Sequence, residues 1–293
     1  MDAELYQNLI AKGGCVDLSA RAKWRLSGED RVRYLNGQVT NDVRQVRTDA
    51  AMHACVTNLK GRIEGDVFIH ADGDGLTMDA PEGLREILGN RLERYIIADD
   101  AVLEDITDEW SLWHFFGPEP EAGRRVQSQR FGVPGWDVWL PVSECPEPRH
   151  MLSAADAEAF RILQRVPAYP GELNADTFPQ EAGLEKTAMS YTKGCYIGQE
   201  ILSRIKTTGK MPRELIAWTA VESEAAIPAG VSLFAGEKSI GTITSLTRHP
   251  LTGMLTGLGF IRQGAAAVDS VLLVGDGVSN IGPVIKISAL LNQ

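Results

Sequence analysis

The last 80 residues, 214–293, differ in composition from the rest of the chain and narrow the folds that it can adopt. They contain 10 glycines but only 4 basic and 6 acidic residues. Their short apolar runs, such as Val231–Phe234 and Val271–Val274, are separated by turn signals. Runs of this length between turns are typical of strands in a small barrel or sandwich. The sequence therefore predicts an all-β module after Met211-Pro212, which divides the chain into domains 1–211 and 212–293.

The longer N-terminal part mixes helical and strand patterns. Helices are predicted at 2–12 with Leu5, Leu9 and Ile10 on the buried face, after a cap at Ser27-Gly28, from Pro81, from Ser153 to Pro167, and at 201–205. Strands are predicted at 22–26, 51–57, 62–70, 76–79, 102–106 and 110–116. The elements do not follow the regular crossovers of a doubly wound sheet.

Charge and cysteine spacing exclude several classes of protein. The 293 residues carry a net charge of −10, the wrong sign for a protein that binds duplex nucleic acid. The four cysteines lie 40, 90 and 50 residues apart, so none has the spacing of a zinc or dithiol redox site, and no metal site is predicted. Without a signal peptide or an apolar run long enough to span a membrane, we expect a cytoplasmic protein that does not bind membranes.

The segment Lys193-Gly194-Cys195-Tyr196-Ile197-Gly198-Gln199-Glu200 is the most informative motif. Its two glycines let the backbone turn tightly around a cysteine. Residues 193–213 carry five bases and one acid, a local charge of +4 that suits an anionic ligand and favours a thiolate. A second stretch, 21–47, also carries a local net charge of +4. The alternatives are that Cys195 is a packing residue and that the stretch 193–213 is a solvated face. The two stretches could line one cleft or lie on opposite faces.

Together with three other segments, this octapeptide resembles the YgfZ-type family, folate-binding relatives of the glycine-cleavage T-protein (aminomethyltransferase). The other segments are Tyr34–Asp42, Lys60-Gly61-Arg62 through Asp66, and Phe178-Pro179-Gln180. The resemblance covers about residues 20–210. It implies two interleaved α+β subdomains around a central folate channel, followed by a β-barrel.

The resemblance also implies a function. The chain would be a tetrahydrofolate-binding accessory protein for the assembly or repair of iron–sulfur enzymes, with folate and iron–sulfur client or assembly proteins as partners. Cys195 would be its reactive residue, tuned by Lys193 and Arg204. Asp66 would take the position of the T-protein acid near N5 and N10 of the folate.

A reduced pterin needs hydrogen-bond acceptors for its ring, an apolar slot and bases for its glutamate tail. The predicted cofactor-binding residues are Gln38, Asn41, Arg62, Asp66, Lys193, Tyr196, Gln199, Glu200 and Arg204. Arg204, Lys206 or Arg62 would hold the tail.

Two departures from the T-protein pattern bear on catalysis. The T-protein has paired glycines and then two adjacent acids, whereas this chain has Gly61-Arg62 and the single acid Asp66. The T-protein also has an acid in an Arg-x-Glu-Ala-Gly pattern that holds the pterin, whereas residues 165–169 read Arg-Val-Pro-Ala-Tyr. An aminomethyltransferase that uses Asp66 as acid or base is therefore the alternative to the accessory protein. A third hypothesis is a non-catalytic adaptor that docks a client protein. Whether the chain is an enzyme stays open.

Overall fold

The computed structural model describes residues 1–146, 150–222, 226–275 and 283–291. The helices are α1 (Ala3–Lys12), α2 (Arg31–Gln38), α3 (Arg85–Glu93), α4 (Ala154–Leu163), α5 (Glu185–Ala188) and α6 (Gln199–Thr208), with short 3₁₀ turns at Val43–Gln45 and Glu82–Leu84. The strands of the N-terminal part are β1 (Gly14–Asp17), β2 (Ala22–Ser27), β3 (Met52–Thr57), β4 (Ile63–Asp72), β5 (Gly75–Ala80), β6 (Val102–Asp105), β7 (Trp110–Phe116), β8 (Arg124–Ser128), β9 (Gly135–Pro141) and β10 (Met151–Leu152). The later strands are β11 (Arg213–Ala220), β12 (Ser232–Ala235), β13 (Lys238–Arg248), β14 (Leu255–Arg262), β15 (Val271–Gly275) and β16 (Val284–Leu290).

The ten N-terminal strands form two five-stranded sheets that alternate along the chain. One sheet has the order β10-β1-β7-β9-β8 and the other the order β3-β4-β5-β2-β6. The chain thus starts in the first sheet, builds the whole second sheet, and returns to complete the first. This interleaving of two α+β parts confirms the predicted fold class.

The last six strands close into a barrel in the order β11-β14-β13-β12-β15-β16. Its interior is packed with apolar side chains, among them Trp218, Leu233 and Ile285, each fully buried. Glycine allows close packing here: a Cβ on Gly257 would lie 2.1 Å from the carbonyl oxygen of Ser245. The barrel confirms the all-β prediction. The division at residues 211 and 212 remains a proposal about domain architecture.

Several local predictions differ from the structure at helix ends. Ile10 is 60% exposed, because it follows Leu9 by one residue and so points about 100° away from it around the helix. Helix α2 begins at Arg31 after Asp30 rather than at Ser27-Gly28. Gly28 has a φ of +97° and lies against the carbonyl of Asp100. It therefore allows these two backbone segments to pack closely and does not cap the helix.

Helix α4 begins as predicted and ends earlier. The Ser153 hydroxyl accepts a hydrogen bond from the amide of Asp156 at 3.1 Å, which confirms the N-cap. The helix ends at Leu163, because Arg165 adopts a left-handed conformation with φ +62°. Val166, predicted on the helix face, therefore lies beyond the helix.

A buried charge cluster joins the two sheets. Arg130, between β8 and β9, donates hydrogen bonds to both carboxylate oxygens of Asp79 on β5 at 3.0 Å, and also pairs with Asp137 on β9. Burial raises the pKa of both aspartates, but the charge and hydrogen bonds of Arg130, together with Arg21 beside Asp79 and His114 beside Asp137, outweigh burial and lower the pKa of each carboxyl group. The sheets also meet where His70 packs on Trp139, and burial lowers the pKa of His70 to about 4.

Two fully buried glutamates connect the barrel to the rest of the chain. Glu172 accepts hydrogen bonds from the hydroxyls of Thr244 and Ser245 on β13, each at 2.5 Å, and from Arg161 on α4 at 2.9 Å. Glu181 accepts hydrogen bonds from Arg62 at 3.2 Å and from Arg213 on β11 at 3.3 Å. Each carboxylate therefore has hydrogen-bond partners both in the barrel and in the N-terminal part.

Candidate functional site

A cavity of about 910 Å³ is bounded by both five-stranded sheets, the end of α4 and the segment 182–187. Its volume lies in the range of small-molecule and cofactor sites. Its polar lining comprises the acid Asp66, the histidine His53, the arginines Arg47, Arg130 and Arg165, and the amides of Asn41, Gln45, Gln127, Gln129 and Gln164. Phe68 and Trp136 add aromatic surface. This combination can hold a ligand with a polar ring and an anionic group.

Asp66 and His53 form the chemical centre of this cavity. They lie diagonally across the β3–β4 hairpin, because His53 is opposite Phe68 and Cys55 is opposite Asp66. The Nε2 of His53 is 2.5 Å from Oδ1 of Asp66, and the imidazole stacks on Phe68 with ring centroids 4.6 Å apart. A hydrogen-bonded carboxylate and imidazole, both mostly buried, can exchange a proton with a bound molecule.

Lys193 lies behind the cavity wall rather than in the cavity. Its ammonium group donates to the carbonyl oxygens of Asn36, Val39 and Asn41 at 2.7, 2.7 and 2.6 Å. Three acceptors match its three hydrogens, although burial lowers the pKa of Lys193 to about 7. The Asn41 side chain lines the cavity and donates to the carbonyl of His53 at 2.9 Å. Lys193 therefore fixes the segment 36–41 that presents Asn41.

The loop that follows Lys193 lies against the turn of the β3–β4 hairpin. The hydroxyl of Thr57 donates to the carbonyl of Ile197 at 2.6 Å. Gly198 has φ +86°, and a Cβ there would lie 2.5 Å from the carbonyl oxygen of Asn58. Gly194 has open space around it, and Cys195 beside it is exposed. The loop thus presents the thiol to solvent, outside the cavity.

The other cysteines differ in their accessibility. Cys15 and Cys55 are buried, whereas Cys145 is exposed. Burial, and then the negative charge of its register partner Asp66, raise the pKa of the Cys55 thiol well above its usual value. Cys55 therefore stays a neutral thiol beneath the cavity floor.

Of the predicted site residues, the structure brings Asp66 and Asn41 into the cavity and leaves the rest outside its lining. Gln38 accepts a hydrogen bond from Arg91 at 2.9 Å, and Arg62 is held by Glu181 and stacks on Phe178 at 3.5 Å. Tyr196 is buried. Gln199, Glu200 and Arg204 lie on α6, where Glu200 and Arg204 are exposed. Of the basic side chains in the two stretches, Arg47 alone is part of the lining.

The other cavity residues were not among the predicted site residues. His53 had one available signal, since the predicted hairpin places it two residues from the partner of Asp66 on the same face. Arg165 opens the segment 165–169 that was matched with the pterin-holding pattern of the T-protein, but the comparison concerned the missing acid and not this arginine. Arg130 had no signal, because it comes from a segment far away in the sequence. Gln164 and Pro167 at the end of α4 also line the cavity, so this segment supplies an amide there but no carboxylate.

The residues that the structure describes, 1–146, 150–222, 226–275 and 283–291, contain neither a metal-binding cluster nor a membrane-spanning helix. No group of three histidine, cysteine or acidic side chains there is arranged to hold a metal ion. No helix in these ranges has the length and apolarity needed to cross a membrane.

Comparison with known proteins supports the resemblance seen in the sequence. No family model matches the chain. An aminomethyltransferase of Rubrobacter xylanophilus is 25% identical over 291 residues, covering 87% of this chain and 78% of that protein. A tRNA-modifying protein YgfZ of Yersinia pestis is 25% identical over 281 residues, covering 86% and 84%. A mitochondrial iron–sulfur cluster assembly factor IBA57 homolog of Pyricularia oryzae is 26% identical over 220 residues, covering 69% and 56%.

The fold is shown by a solved structure. The glycine cleavage system aminomethyltransferase T from Bartonella henselae superposes with a TM-score of 0.84, covering 99% of this chain and 89% of that one, at 14% sequence identity. The chain therefore has the aminomethyltransferase fold, and its similarity to YgfZ, IBA57 and aminomethyltransferase proteins confirms the suspected resemblance.

Proposed function

We propose that this chain binds a reduced folate in the cavity and acts as an accessory protein for iron–sulfur enzymes. The observation that carries the proposal is the cavity itself, with a buried carboxylate, amides and aromatic surface in an aminomethyltransferase fold. The similarity to an iron–sulfur cluster assembly factor supports the second part. The similarity to a tRNA-modifying protein is compatible with it, if the client is an enzyme that modifies tRNA.

The cavity residues fit a tetrahydrofolate. N5 and N10 of this cofactor carry hydrogens, and the carboxylate of Asp66 is an acceptor for them. The amides of Asn41 and Gln164 offer donors and acceptors to the edge of the pterin, and Phe68 and Trp136 offer surface to its rings. When bound, the folate would supply one-carbon chemistry, and this chain's residues would bind and orient it.

An anaerobic calorimetric titration with tetrahydrofolate tests folate binding. We expect saturable binding by the intact chain, and weaker binding at higher ionic strength because part of the attraction is between charges. A titration without detectable heat, repeated at a second temperature to exclude a zero enthalpy, would refute the folate proposal.

Cys195 is proposed as the residue that acts on the iron–sulfur client. Its thiol is exposed in a loop that is held on both sides, by Lys193 before it and by Gly198 after it. The space around Gly194 leaves room for a second protein. Cys195 and the folate would therefore serve different steps, because the thiol is not part of the cavity lining.

We expect Cys195→Ala to fold normally and to lose its support of iron–sulfur enzymes. The measurement is the activity of a cluster-dependent enzyme in cells where the variant replaces the chain. Cys145→Ala is the matched control, since Cys145 is also an exposed thiol. Activity equal to that of the unmodified chain in Cys195→Ala would leave Cys195 without a chemical role.

A second candidate function is aminomethyl transfer. It is favoured by the pairing of Asp66 with His53, which gives the cavity a group able to exchange protons. Mixing the chain with an aminomethylated lipoyl carrier and tetrahydrofolate would then yield methylene-tetrahydrofolate, with release of ammonia and the dihydrolipoyl carrier. If a preparation that binds tetrahydrofolate forms none of that product, aminomethyl transfer is excluded and the accessory role remains as the proposed function.

A further inference from the structure

Arg165 combines two features that suggest a role in ligand binding. The first is its backbone. It lies just after α4 with φ +62°, and its amide donates to the carbonyl of Ile162 at 3.0 Å. Glycine is the usual residue in a left-handed position that ends a helix, because a Cβ is disfavoured there. Among the described residues, two other non-glycine residues have positive φ, His150 and Asp269, and neither lines the cavity.

The second feature is the charge of Arg165. Each of the other two cavity arginines has an acidic partner: Arg47 pairs with Asp49, and Arg130 pairs with Asp79 and Asp137. Within the described part of the chain, the Arg165 guanidinium makes no hydrogen bond or ion pair, and the residue is exposed at the cavity. The cavity therefore presents an unmatched positive charge at this point.

We propose that Arg165 binds the carboxylate end of the ligand and makes the cavity selective for folates that carry a glutamate tail. The inference rests on the proposed function. A guanidinium binds a carboxylate through two parallel hydrogen bonds, which suits the glutamate carboxylates of a folate. The bases predicted for this task lie elsewhere: Lys206 pairs with Glu185, and Arg204 is exposed on α6.

The test compares two ligands and two variants. Tetrahydrofolate carries the tail, whereas 6-methyltetrahydropterin has the same reduced ring without any carboxylate. We expect Arg165→Gly to weaken tetrahydrofolate binding by about tenfold to hundredfold, the effect of losing a charge-assisted hydrogen bond. Its binding of 6-methyltetrahydropterin should stay the same. Arg94→Gln, which removes an exposed arginine outside the cavity lining, should change neither affinity.

Stability gives an independent readout. Because glycine fits the left-handed backbone, the thermal midpoint of Arg165→Gly should be equal to or above that of the unmodified chain. An Arg165→Gly variant that keeps full affinity for tetrahydrofolate would overturn the inference and leave folate binding intact. An unmodified chain that binds neither ligand would overturn the proposed function, and the inference with it.

Discussion

Asp66→Asn should bind tetrahydrofolate about tenfold to hundredfold more weakly than the unmodified chain. The substitution keeps the size of the side chain but removes the charge that accepts hydrogen bonds from the reduced ring, a loss of about 1.5 to 3 kcal/mol. It also weakens the contact with His53, which lies 2.5 Å from the carboxylate. Calorimetric titration measures the change, with circular dichroism to show that the variant is folded.

Asp74→Asn is the control for this experiment, because the Asp74 side chain is 88% exposed and lies outside the cavity lining. It should bind like the unmodified chain. Equal affinities in Asp66→Asn and Asp74→Asn would remove Asp66 from the folate site. A double variant, Asp66→Asn with His53→Gln, that loses no more affinity than either single variant would indicate that the two residues act as one unit.

Arg130→Met should have the largest effect on stability, about 3 to 5 kcal/mol in the free energy of unfolding. The change removes the positive charge shared by Asp79 and Asp137 and leaves two buried carboxylates with too few partners. Urea-induced unfolding measures it. Arg47→Met is the matched control, since Arg47 also lines the cavity but its side chain is 65% exposed, and we expect little change.

The effect of Arg130→Met should depend on pH. In the intact protein the pKa of Asp79 and Asp137 is lowered, so their contribution to stability is present at neutral pH and is lost as the pH falls through their folded pKa. Without Arg130, burial raises the pKa of both groups, and the folded state takes up protons more readily than the unfolded state. The destabilisation should therefore shrink from pH 7 towards pH 4. A constant difference across this range would mean that the loss comes from packing alone.

Local sequence patterns predicted the barrel and most individual elements, because these depend on neighbouring residues. The glycine-rich tail and the capping serine of α4 are examples. Strands β8 and β9 were not predicted, since β9 is covered on both faces and its residues do not alternate in polarity. The interleaving of the two sheets was predicted from the family resemblance alone, because the periodicity of a sequence does not specify which distant strands pair.

The candidate site was predicted less completely, for a related reason. The resemblance identified Asp66 and Asn41, but Arg130 and Arg165 enter the cavity from segments about 65 and 100 residues further along the chain. Lys193 shows how far a side chain can lie from its neighbours in the sequence. A base beside a cysteine suggested that it tunes the thiol, yet its three carbonyl partners lie more than 150 residues earlier. Sequence proximity does not show which way a side chain points.

The buried Glu172 and Glu181 have a consequence for how the chain unfolds. Each carboxylate accepts hydrogen bonds from both the barrel and the N-terminal part. If the two parts separated, Glu172 would lose its partners on β13 and Glu181 would lose its partner on β11. We therefore expect that the composition boundary near residue 211 is not a boundary of cooperativity. The protein should melt in one transition, and a chain cut at that boundary should leave both glutamates without part of their hydrogen-bond partners.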